Sequence, residues 1–313
     1  MLVLFFMSGN KQKVLLLIVG PTAVGKTKLC VNLAQELDTV VLSADSRQFF
    51  KEMSIGTAKP SLMEMGGVTH YFIDNKSIVE EYNVGKYEKE VLSVIDEVFS
   101  SKQICLLTGG SGLYVDAVCN GIDEMPEVPQ SLRKQLNHEH KQFGLDKLVK
   151  ELNRCDPEYS KIVDTKNAQR VIRALEVCRL TGKTYTSFRK KKIASRPFQI
   201  IKIGLKRDRE ELYERIDKRM DDMIAQGLFE EAQDLIQYRH HNALQTVGYK
   251  EVFDYFDGLY DKKEAIRLLK RNSRRYAKRQ MTWFGRDEKI KWFHPDNIDV
   301  IKNYVREQMI NLK

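Results

Sequence analysis

Cysteines are few in this sequence, and long hydrophobic runs are missing. The five cysteines are scattered over 313 residues without a CxxC pair, so neither a disulfide framework nor a zinc site is predicted. No apolar run reaches the roughly 18 residues that a membrane helix needs. The short apolar start, residues 1–7, lacks a basic leader and a small-residue cleavage site, which argues against a signal peptide. We therefore expect a reduced, cytoplasmic protein without a membrane partner, which begins at Met1 or at Met7.

The composition indicates a globular protein with a moderate positive charge. Hydrophobic residues make up 42% of the chain, which is too many for a disordered chain, and the length suggests about two domains. The 52 lysines and arginines outnumber the 43 aspartates and glutamates, which gives a formal net charge of +9. A surplus of this size is compatible with a nucleic-acid partner without requiring one.

The strongest local motif is GPTAVGKT at residues 20–27, which matches the phosphate-binding P-loop pattern GxxxxGK[ST]. An apolar strand is predicted before it, over residues 14–19, and an amphipathic helix after it, over about residues 26–37, as a P-loop requires. Lys26 would reach phosphate oxygens, and the Thr27 hydroxyl would bind Mg²⁺. The motif alone does not tell whether the phosphate is transferred, hydrolysed or expelled. The predicted phosphate-binding residues are Gly20, Pro21, Thr22, Ala23, Val24, Gly25, Lys26 and Thr27.

Two further predicted strands end in polar or glycine-rich segments. Residues 39–43 lead to Asp45, and residues 104–108 lead to the segment 109–114. Ligands of open α/β sheets bind at the carboxyl ends of the strands, so Asp45 should lie beside the P-loop. It is either a general base or Mg²⁺-associated carboxylate, or an N-cap of the following turn, and its position leaves both interpretations open.

The sequence pattern changes near residue 120 and changes back before residue 200. Helical periodicity without a convincing strand runs from about residue 131 to 180, and a strand pattern returns at residues 198–205. We therefore predict an α/β fold in which a P-loop NTPase-like parallel sheet core, residues 1–118 and 198–313, carries an inserted all-helical domain, residues 119–197.

Several polar and basic side chains are candidates for binding phosphate groups. Gln169 and Arg173 share one helix face, residues 189–192 are a basic run, and Arg215 and Arg219 lie one helical turn apart. For each set a solvated or ion-paired surface is the commoner case. The alternatives are that the first set binds a nucleic acid, the basic run touches phosphates, and the arginine pair clamps a diphosphate.

The densest positive charge lies near the end of the chain. Residues 262–291 hold 12 lysines and arginines against 3 aspartates and glutamates. Tyr276, Trp283 and Phe284 lie between the basic residues, and such a mixture suits phosphate contacts combined with stacking on bases.

Eight segments, in order along nearly the whole chain, resemble the tRNA dimethylallyltransferase family, also called tRNA isopentenyltransferases. The resemblance implies a P-loop α/β core with a helical insertion. It also implies transfer of a dimethylallyl group from dimethylallyl diphosphate to N6 of the adenine just 3′ of the tRNA anticodon. The segments are GPTAVGKT at 20–27, SADSRQ at 43–48, IGTAKP at 55–60, LLTGGSGLY at 106–114, NAQRVIRALEV at 167–177, RIDKR at 215–219, VGYKE at 247–251 and YAKRQMTWF at 276–284.

The resemblance implies that Thr22 and Asp45 line the catalytic centre. Arg219, Lys26 and Mg²⁺ on Thr27 would stabilise the departing diphosphate, and Asp45 would orient the adenine amine and take its proton. We expect a monomer that binds dimethylallyl diphosphate and the anticodon stem-loop of tRNA. The predicted tRNA-binding residues, the last three from the basic C-terminal stretch, are Asp45, Ser46, Arg47, Gln48, Ser111, Arg133, Gln169, Arg170, Val171, Ile172, Arg173, Arg274, Arg275 and Lys278.

The chain departs from the family pattern at two places. Ser111 stands where many members carry Thr, so the hydroxyl is kept. Phe49 and Phe50 stand where a Tyr is commoner, so the hydroxyl of that Tyr is lost here.

Three other functions share part of this pattern. A small-molecule or nucleotide kinase uses a P-loop, Mg²⁺ and an arginine clamp equally well, but it leaves the basic C-terminal stretch without a role. If the protein is a nucleic-acid-binding NTPase, its function should be retained in the Asp45→Ala variant. An adenylate-type isopentenyltransferase has no need of a basic surface, because its acceptor is a free nucleotide.

Overall fold

The computed structural model describes residues 12–190 and 193–311. The chain divides into two compact units, a core unit formed by Met1–Cys119 with Ser195–Lys313 and a helical unit, Asn120–Ala194. The start at Met1 or Met7 and the lysines at 191 and 192 of the basic run lie outside the described residues. The cysteines are all free thiols, as their spacing predicts.

Within the described residues the core unit contains one six-stranded parallel sheet with the strand order β3-β2-β4-β1-β5-β6. Val19 at the end of β1 lies opposite Gly109 of β4 and Gly204 of β5. The chain therefore returns from the helical unit to pair with its first strand. The strands are β1 Val14–Val19, β2 Val41–Ser43, β3 His70–Tyr71, β4 Ile104–Gly109, β5 Gln199–Leu205 and β6 Lys291–Phe293.

Helices make up most of the rest of the described residues. The core unit has α1 Lys26–Glu36, α2 Leu62–Met65, α3 Val84–Ser101, α4 Gly112–Asn120, α10 Arg209–Ala225, α11 Leu228–Asp234, α12 Tyr249–Phe256, α13 Lys262–Phe284 and α14 Ile298–Asn311. The helical unit has α5 Gln130–Phe143, α6 Leu145–Cys155, α7 Pro157–Ile162, α8 Ala168–Thr181 and α9 Tyr185–Phe188. Two 3₁₀ turns, Ile236–Tyr238 and Asn242–Leu244, connect α11 to α12.

The sheet is covered on both faces, as a parallel sheet requires. Leu15 and Leu17 of β1 pack into one apolar cluster with side chains of α3 and α4. Leu16 and Ile18 point the other way and pack with side chains of α1, α10 and α14. Because both faces of β1 are buried, its sequence is a continuous apolar run, and its P-loop is held at the centre of the carboxyl edge.

A third cluster connects α10–α13 to the segment that follows β2. Phe50 and Met53 of that segment pack with Met220, Leu228 and Tyr249. This packing anchors the residues around Asp45–Gln48 to the C-terminal helices, although they are about two hundred residues apart in sequence.

The helical unit has its own core. Leu136 of α5, Leu148 and Leu152 of α6, and Val171 and Leu175 of α8 are all fully buried in one cluster. Asn167 caps α8, because its side chain accepts a hydrogen bond from the backbone of Arg170, which places the helix start where the sequence predicts it.

None of the helices within the described ranges combines the length and the apolarity that crossing a bilayer would require.

Candidate active site

The P-loop connects the end of β1 to the start of α1. Lys26 Nζ donates hydrogen bonds to the carbonyl oxygens of Gly20, at 2.9 Å, and Pro21, at 2.8 Å. Burial lowers the pKa of Lys26 to about 8, although the neighbouring charge of Asp45 opposes this shift. The position of Gly20 requires a glycine, because a Cβ there would lie 2.7 Å from the carbonyl oxygen of Leu205 at the end of β5. Thr27, by contrast, is exposed at the helix start.

Three arginines contact the P-loop from the segment that follows β5. Arg207 Nε donates to the carbonyl oxygen of Val24 at 3.0 Å, and Arg215 Nε donates to that of Ala23 at 2.9 Å. Arg219 Nη2 donates to the Thr22 hydroxyl. The two helical arginines at 215 and 219 are the pair that the sequence analysis singles out, and only the structure reveals the role of Arg207.

Asp45 lies at the carboxyl end of β2, among positive charges. Its Oδ1 accepts a hydrogen bond from the backbone N–H of Arg47 at 3.0 Å, as the turn interpretation predicts. Its charge also interacts with those of Lys26, Arg47 and Arg219. Asp45 therefore stabilises the turn and also faces the P-loop cations, so that neither of the two interpretations excludes the other.

The segment after β4 meets the segment after β2 through two serines. Ser111 Oγ accepts from the backbone N–H of Ser46 at 2.9 Å and lies 3.1 Å from Ser46 Oγ. Tyr276 of α13 lies beside Ser111, and burial, together with the Asp45 charge, raises the pKa of Tyr276 to about 12. Tyr276 is therefore a protonated phenol beside Asp45 at neutral pH, a role that the sequence analysis misses.

Gln48 is oriented by its neighbours. Its Nε2 donates to the carbonyl oxygens of Thr57 and Ala58, at 3.3 and 3.2 Å, and Ser43 Oγ lies 3.4 Å from its Oε1. The glycine turn at residues 54–58 is thus part of the support for Gln48. Lys59 Nζ, in contrast, donates to the carbonyl oxygen of Phe50 and to Asp74, so that it holds loops together.

The phenylalanines that replace a commoner tyrosine are buried. Phe49 is fully buried and stacks on Tyr87, with ring centroids 5.3 Å apart, and its ring also contacts Tyr82 and Tyr114. Phe50 is also buried. The aromatic packing at these two positions is complete without a hydroxyl.

The basic helix α13 is only partly available to a ligand. Arg274 Nη1 donates to both carboxylate oxygens of Asp217, at 2.6 and 2.5 Å, and Lys270 pairs with Asp221. The Arg274 guanidinium thus neutralises an acid of α10, and any contact with tRNA must be combined with this partly exposed ion pair. Arg275 and Lys278 are exposed, and neither pairs with an acidic side chain within the described part of the chain.

The prediction that the aromatic side chains of α13 stack on bases is wrong for Phe284. Phe284 is 3% exposed and belongs to the core of the sheet. Trp283 Nε1 donates to Asp116 Oδ2 at 3.0 Å, and its ring packs against the same cluster. Both side chains attach α13 to the sheet.

In the helical unit the predicted tRNA-binding residues separate into exposed and buried ones. Gln169 and Arg170 are exposed. Val171 and Ile172 are buried in the core of the unit, so they are withdrawn as side-chain contacts to tRNA, because helical periodicity turns both inward.

The arginines of this unit surround a buried acid. Glu176 is fully buried, and Arg133 Nη2, at 2.9 Å, and Arg173 Nη1, at 3.0 Å, donate to its Oε2. The two arginines thus compensate a buried charge, and any further role must be combined with this one. In the basic run, Arg189 lies over the Tyr159 ring, 5.1 Å from its centroid.

Two places could supply ligands to Mg²⁺, a group of acidic and histidine side chains and the Thr27 hydroxyl, and they differ in how well they fit this ion. Among the described residues, the one group of three possible ligands is Glu211, His294 and Asp296. Arg207 occupies this group, donating to Glu211 and to both Asp296 oxygens at 2.7 and 3.0 Å. Thr27, in contrast, presents an exposed hydroxyl at the end of the P-loop, which suits an ion that takes most of its ligands from substrate oxygens and water.

These features define a class: an α/β protein whose P-loop lies beside a carboxylate at the carboxyl edge of a parallel sheet, with a helical unit inserted in the sequence between β4 and β5. The model of the family described as IPP transferase matches residues 48–287. The chain belongs to this IPP transferase family, which confirms the family, fold class and enzyme class that the sequence predicts.

Two tRNA dimethylallyltransferases match nearly the whole chain. A tRNA dimethylallyltransferase of Cytophaga hutchinsonii is 52% identical over 298 residues, which is 95% of this chain and 98% of the relative. The tRNA dimethylallyltransferase 1 of Bacteroides fragilis is 50% identical over 94% of this chain and 98% of the relative.

Solved structures extend the likeness to the fold. The tRNA isopentenylpyrophosphate transferase of Bacillus halodurans is 38% identical, with a TM-score of 0.72 and coverage of 96% of this chain and 98% of that one. A eukaryotic dimethylallyltransferase described as acting on tRNA is 27% identical, with a TM-score of 0.71 over 87% of this chain and 70% of that one.

Proposed function

We propose that this chain transfers a dimethylallyl group from dimethylallyl diphosphate to N6 of the adenine just 3′ of the anticodon in tRNA, with release of diphosphate. The observation that carries the proposal is the contact of Arg219 with Thr22 inside a P-loop that faces Asp45. It combines an anion site for a leaving group with a carboxylate for a nucleophile.

The P-loop side would stabilise the leaving group. Breaking the bond between the allylic carbon and the diphosphate oxygen leaves both electrons on the diphosphate, whose negative charge grows. Lys26 and Arg219 supply fixed positive charges, and preorganised charges of this kind lower the barrier without reorganising during the reaction. Arg207 and Arg215 act on the loop itself, because they donate to its carbonyl oxygens.

The Asp45 side would prepare the nucleophile. The exocyclic amine of adenine is weakly nucleophilic, because its lone pair is delocalised into the ring. A carboxylate that accepts one N6–H orients this lone pair and takes the proton as the new bond to carbon forms. The bond between Asp45 Oδ1 and the Arg47 backbone holds the carboxylate in place, and its second oxygen is available for the amine.

We include Mg²⁺ in the proposal. The Thr27 hydroxyl would be its protein ligand, with substrate oxygens and water completing the shell that this ion prefers. When bound, the ion adds positive charge beside the diphosphate.

The tRNA would be held by polar and basic side chains. Near the catalytic centre we propose the half-buried Ser46, Arg47, Gln48 and Ser111. Ser46 and Ser111 hold each other, and Gln48 is held by the carbonyl oxygen of Ala58. The exposed candidates elsewhere are Gln169 and Arg170, together with Arg275 and Lys278. Extruding the target base from its stack costs a few kcal/mol, and such contacts would offset this cost.

We further propose that the enzyme acts as a cytoplasmic monomer. All residues of the proposed catalytic centre belong to one chain, and the proposed acceptor is a cytoplasmic RNA.

The test is mass analysis of tRNA nucleosides after incubation with protein, Mg²⁺ and dimethylallyl diphosphate. We expect an adenosine that is heavier by one dimethylallyl group in place of one hydrogen, located next to the anticodon. Modified AMP with unmodified tRNA would favour a free-nucleotide acceptor. Phosphate transfer from ATP without isoprenoid incorporation would favour a kinase, and tRNA-stimulated ATP hydrolysis alone would favour an NTPase.

A further inference from the structure

Gln280 of α13 connects the two segments that form the proposed catalytic centre. Its Oε1 accepts a hydrogen bond from the backbone N–H of Thr22 at 2.8 Å, and its Nε2 donates to the carbonyl oxygen of Gly110 at 2.9 Å. The side chain is 5% exposed, so water does not readily replace either bond.

The segment after β4 approaches the Gln280 amide closely at Gly110. A Cβ at Gly110 would lie 2.1 Å from Gln280 Nε2, a distance that no side chain at position 110 tolerates while Gln280 stays in place. The close approach is therefore possible only because residue 110 is glycine. The next residue, Ser111, contacts Ser46.

Thr22 is held at its backbone N–H and at its hydroxyl. Gln280 binds its backbone N–H, and Arg219 binds its hydroxyl. Because its N–H already donates to Gln280, Thr22 does not offer that donor to a phosphate. Thr22 therefore contributes to the site through where its backbone is held.

A glutamine suits this place because its side chain presents an acceptor and a donor in one plane. A glutamate loses the donor when it is ionised, and a methionine of similar length offers neither group at comparable strength. The connection therefore depends on the amide itself and not on the volume that it fills.

We propose that Gln280 is a positioning residue that sets the separation between Thr22, in the diphosphate site, and Ser111, in the target-base site. This inference is additional to the proposed function and rests on it. The reacting carbon and nitrogen must approach along one line, and a displacement of about 1 Å in such an arrangement costs on the order of 100-fold in rate.

The test compares Gln280→Met and Gln280→Glu with the matched variant Ser273→Ala. Ser273 is buried on the same helix two turns earlier and takes no part in either hydrogen bond. For Gln280→Met we expect kcat to fall on the order of 100-fold. The KM for dimethylallyl diphosphate and the Kd for an anticodon stem-loop should stay within about threefold. Gln280→Glu keeps the acceptor for Thr22 and should be intermediate, and Ser273→Ala should match the wild type.

The alternatives are distinguishable. An unchanged kcat in Gln280→Met, or an equal loss in Ser273→Ala, would overturn the positioning role. A lower melting temperature with normal kcat per folded molecule would assign Gln280 to helix packing only.

A second measurement separates this inference from the proposed function. Amide hydrogen exchange at Thr22 should be slow in the wild type and fast in Gln280→Met, whatever the substrate. Fast exchange in the wild type would contradict the inference. Wild-type protein that does not modify tRNA would contradict only the proposed function.

Discussion

The Tyr249 hydroxyl donates a 2.6 Å hydrogen bond to Oε1 of Glu231. The same carboxylate accepts from three consecutive backbone N–H groups, those of Ser54 and Ile55 at 2.9 and 2.8 Å and that of Gly56 at 2.9 Å. Burial and the Glu231 charge raise the pKa of Tyr249, so the phenol remains a donor. Glu231 thus joins two motifs that are distant in sequence, IGTAKP and VGYKE. Together they support the turn that holds Gln48.

The first prediction concerns this carboxylate. Glu231→Ala leaves three backbone donors without their partner, which should cost roughly 1–3 kcal/mol of stability and weaken tRNA binding through a displaced Gln48. Tyr249→Phe removes one bond and should cost about 1 kcal/mol. Thermal unfolding and stem-loop binding measure the two effects. The control is Tyr255→Phe on the same helix, and a loss of equal size there would contradict the prediction.

The second prediction concerns the proposed base. Asp45→Ala should lower kcat by roughly 100- to 10,000-fold while tRNA affinity stays within a few fold, because the carboxylate acts on the proton of the bound adenine. Single-turnover transfer and stem-loop binding measure the two quantities. A large loss of binding would assign Asp45 to recognition, and Glu210→Ala, at an exposed acid of α10, controls for the loss of one negative charge.

The third prediction separates paired from unpaired cations on α13. Replacing Arg275 and Lys278 with Ala should reduce the slope of log affinity for RNA against log salt by about 0.7 for each phosphate contact removed. Replacing Arg267 and Lys270, which pair with Glu264 and Asp221, should change the slope less. Equal slopes in wild type and both variants would place the tRNA elsewhere.

The fourth prediction follows from Lys26. Because burial lowers its pKa to about 8, the lysine is charged below this pH and becomes neutral above it. The contribution of Lys26 to diphosphate affinity should therefore be constant below about pH 8 and decrease as the pH rises through it. Calorimetric titration of diphosphate measures this. Lys26→Met should bind weakly without that decrease, and an identical pH profile in both proteins would show that the diphosphate itself titrates.

Local sequence patterns predict the bounds of the strand and the helix on either side of the P-loop. The apolar run Val14–Val19 is a strand of those bounds, and the helix at Lys26 begins at its glycine-lysine pair. The return of the chain into the sheet at β5 was also readable, because a strand-like run follows a long helical region. Each of these features depends on residues that are close together in sequence.

The partners of individual side chains were not readable in the same way. On α13 the charge density suggests one basic surface, yet Arg274 faces Asp217, and Trp283 faces Asp116. Periodicity shows that one helix face is buried but not what lies against it. For the same reason the sequence does not indicate the roles of Arg207 and Gln280, since each acts on a P-loop more than 180 residues away.

The sequence encodes the P-loop, the α/β sheet, the helical insertion and the family, because each follows from short motifs or from their order. The side chains that complete the site, in contrast, depend on tertiary packing. Arg219 on Thr22, Tyr276 beside Asp45 and Gln280 between Thr22 and Gly110 all join segments remote in sequence. Hydrogen bonds and ion pairs act over a few ångströms, so they depend on how the helices pack and not on distance along the chain.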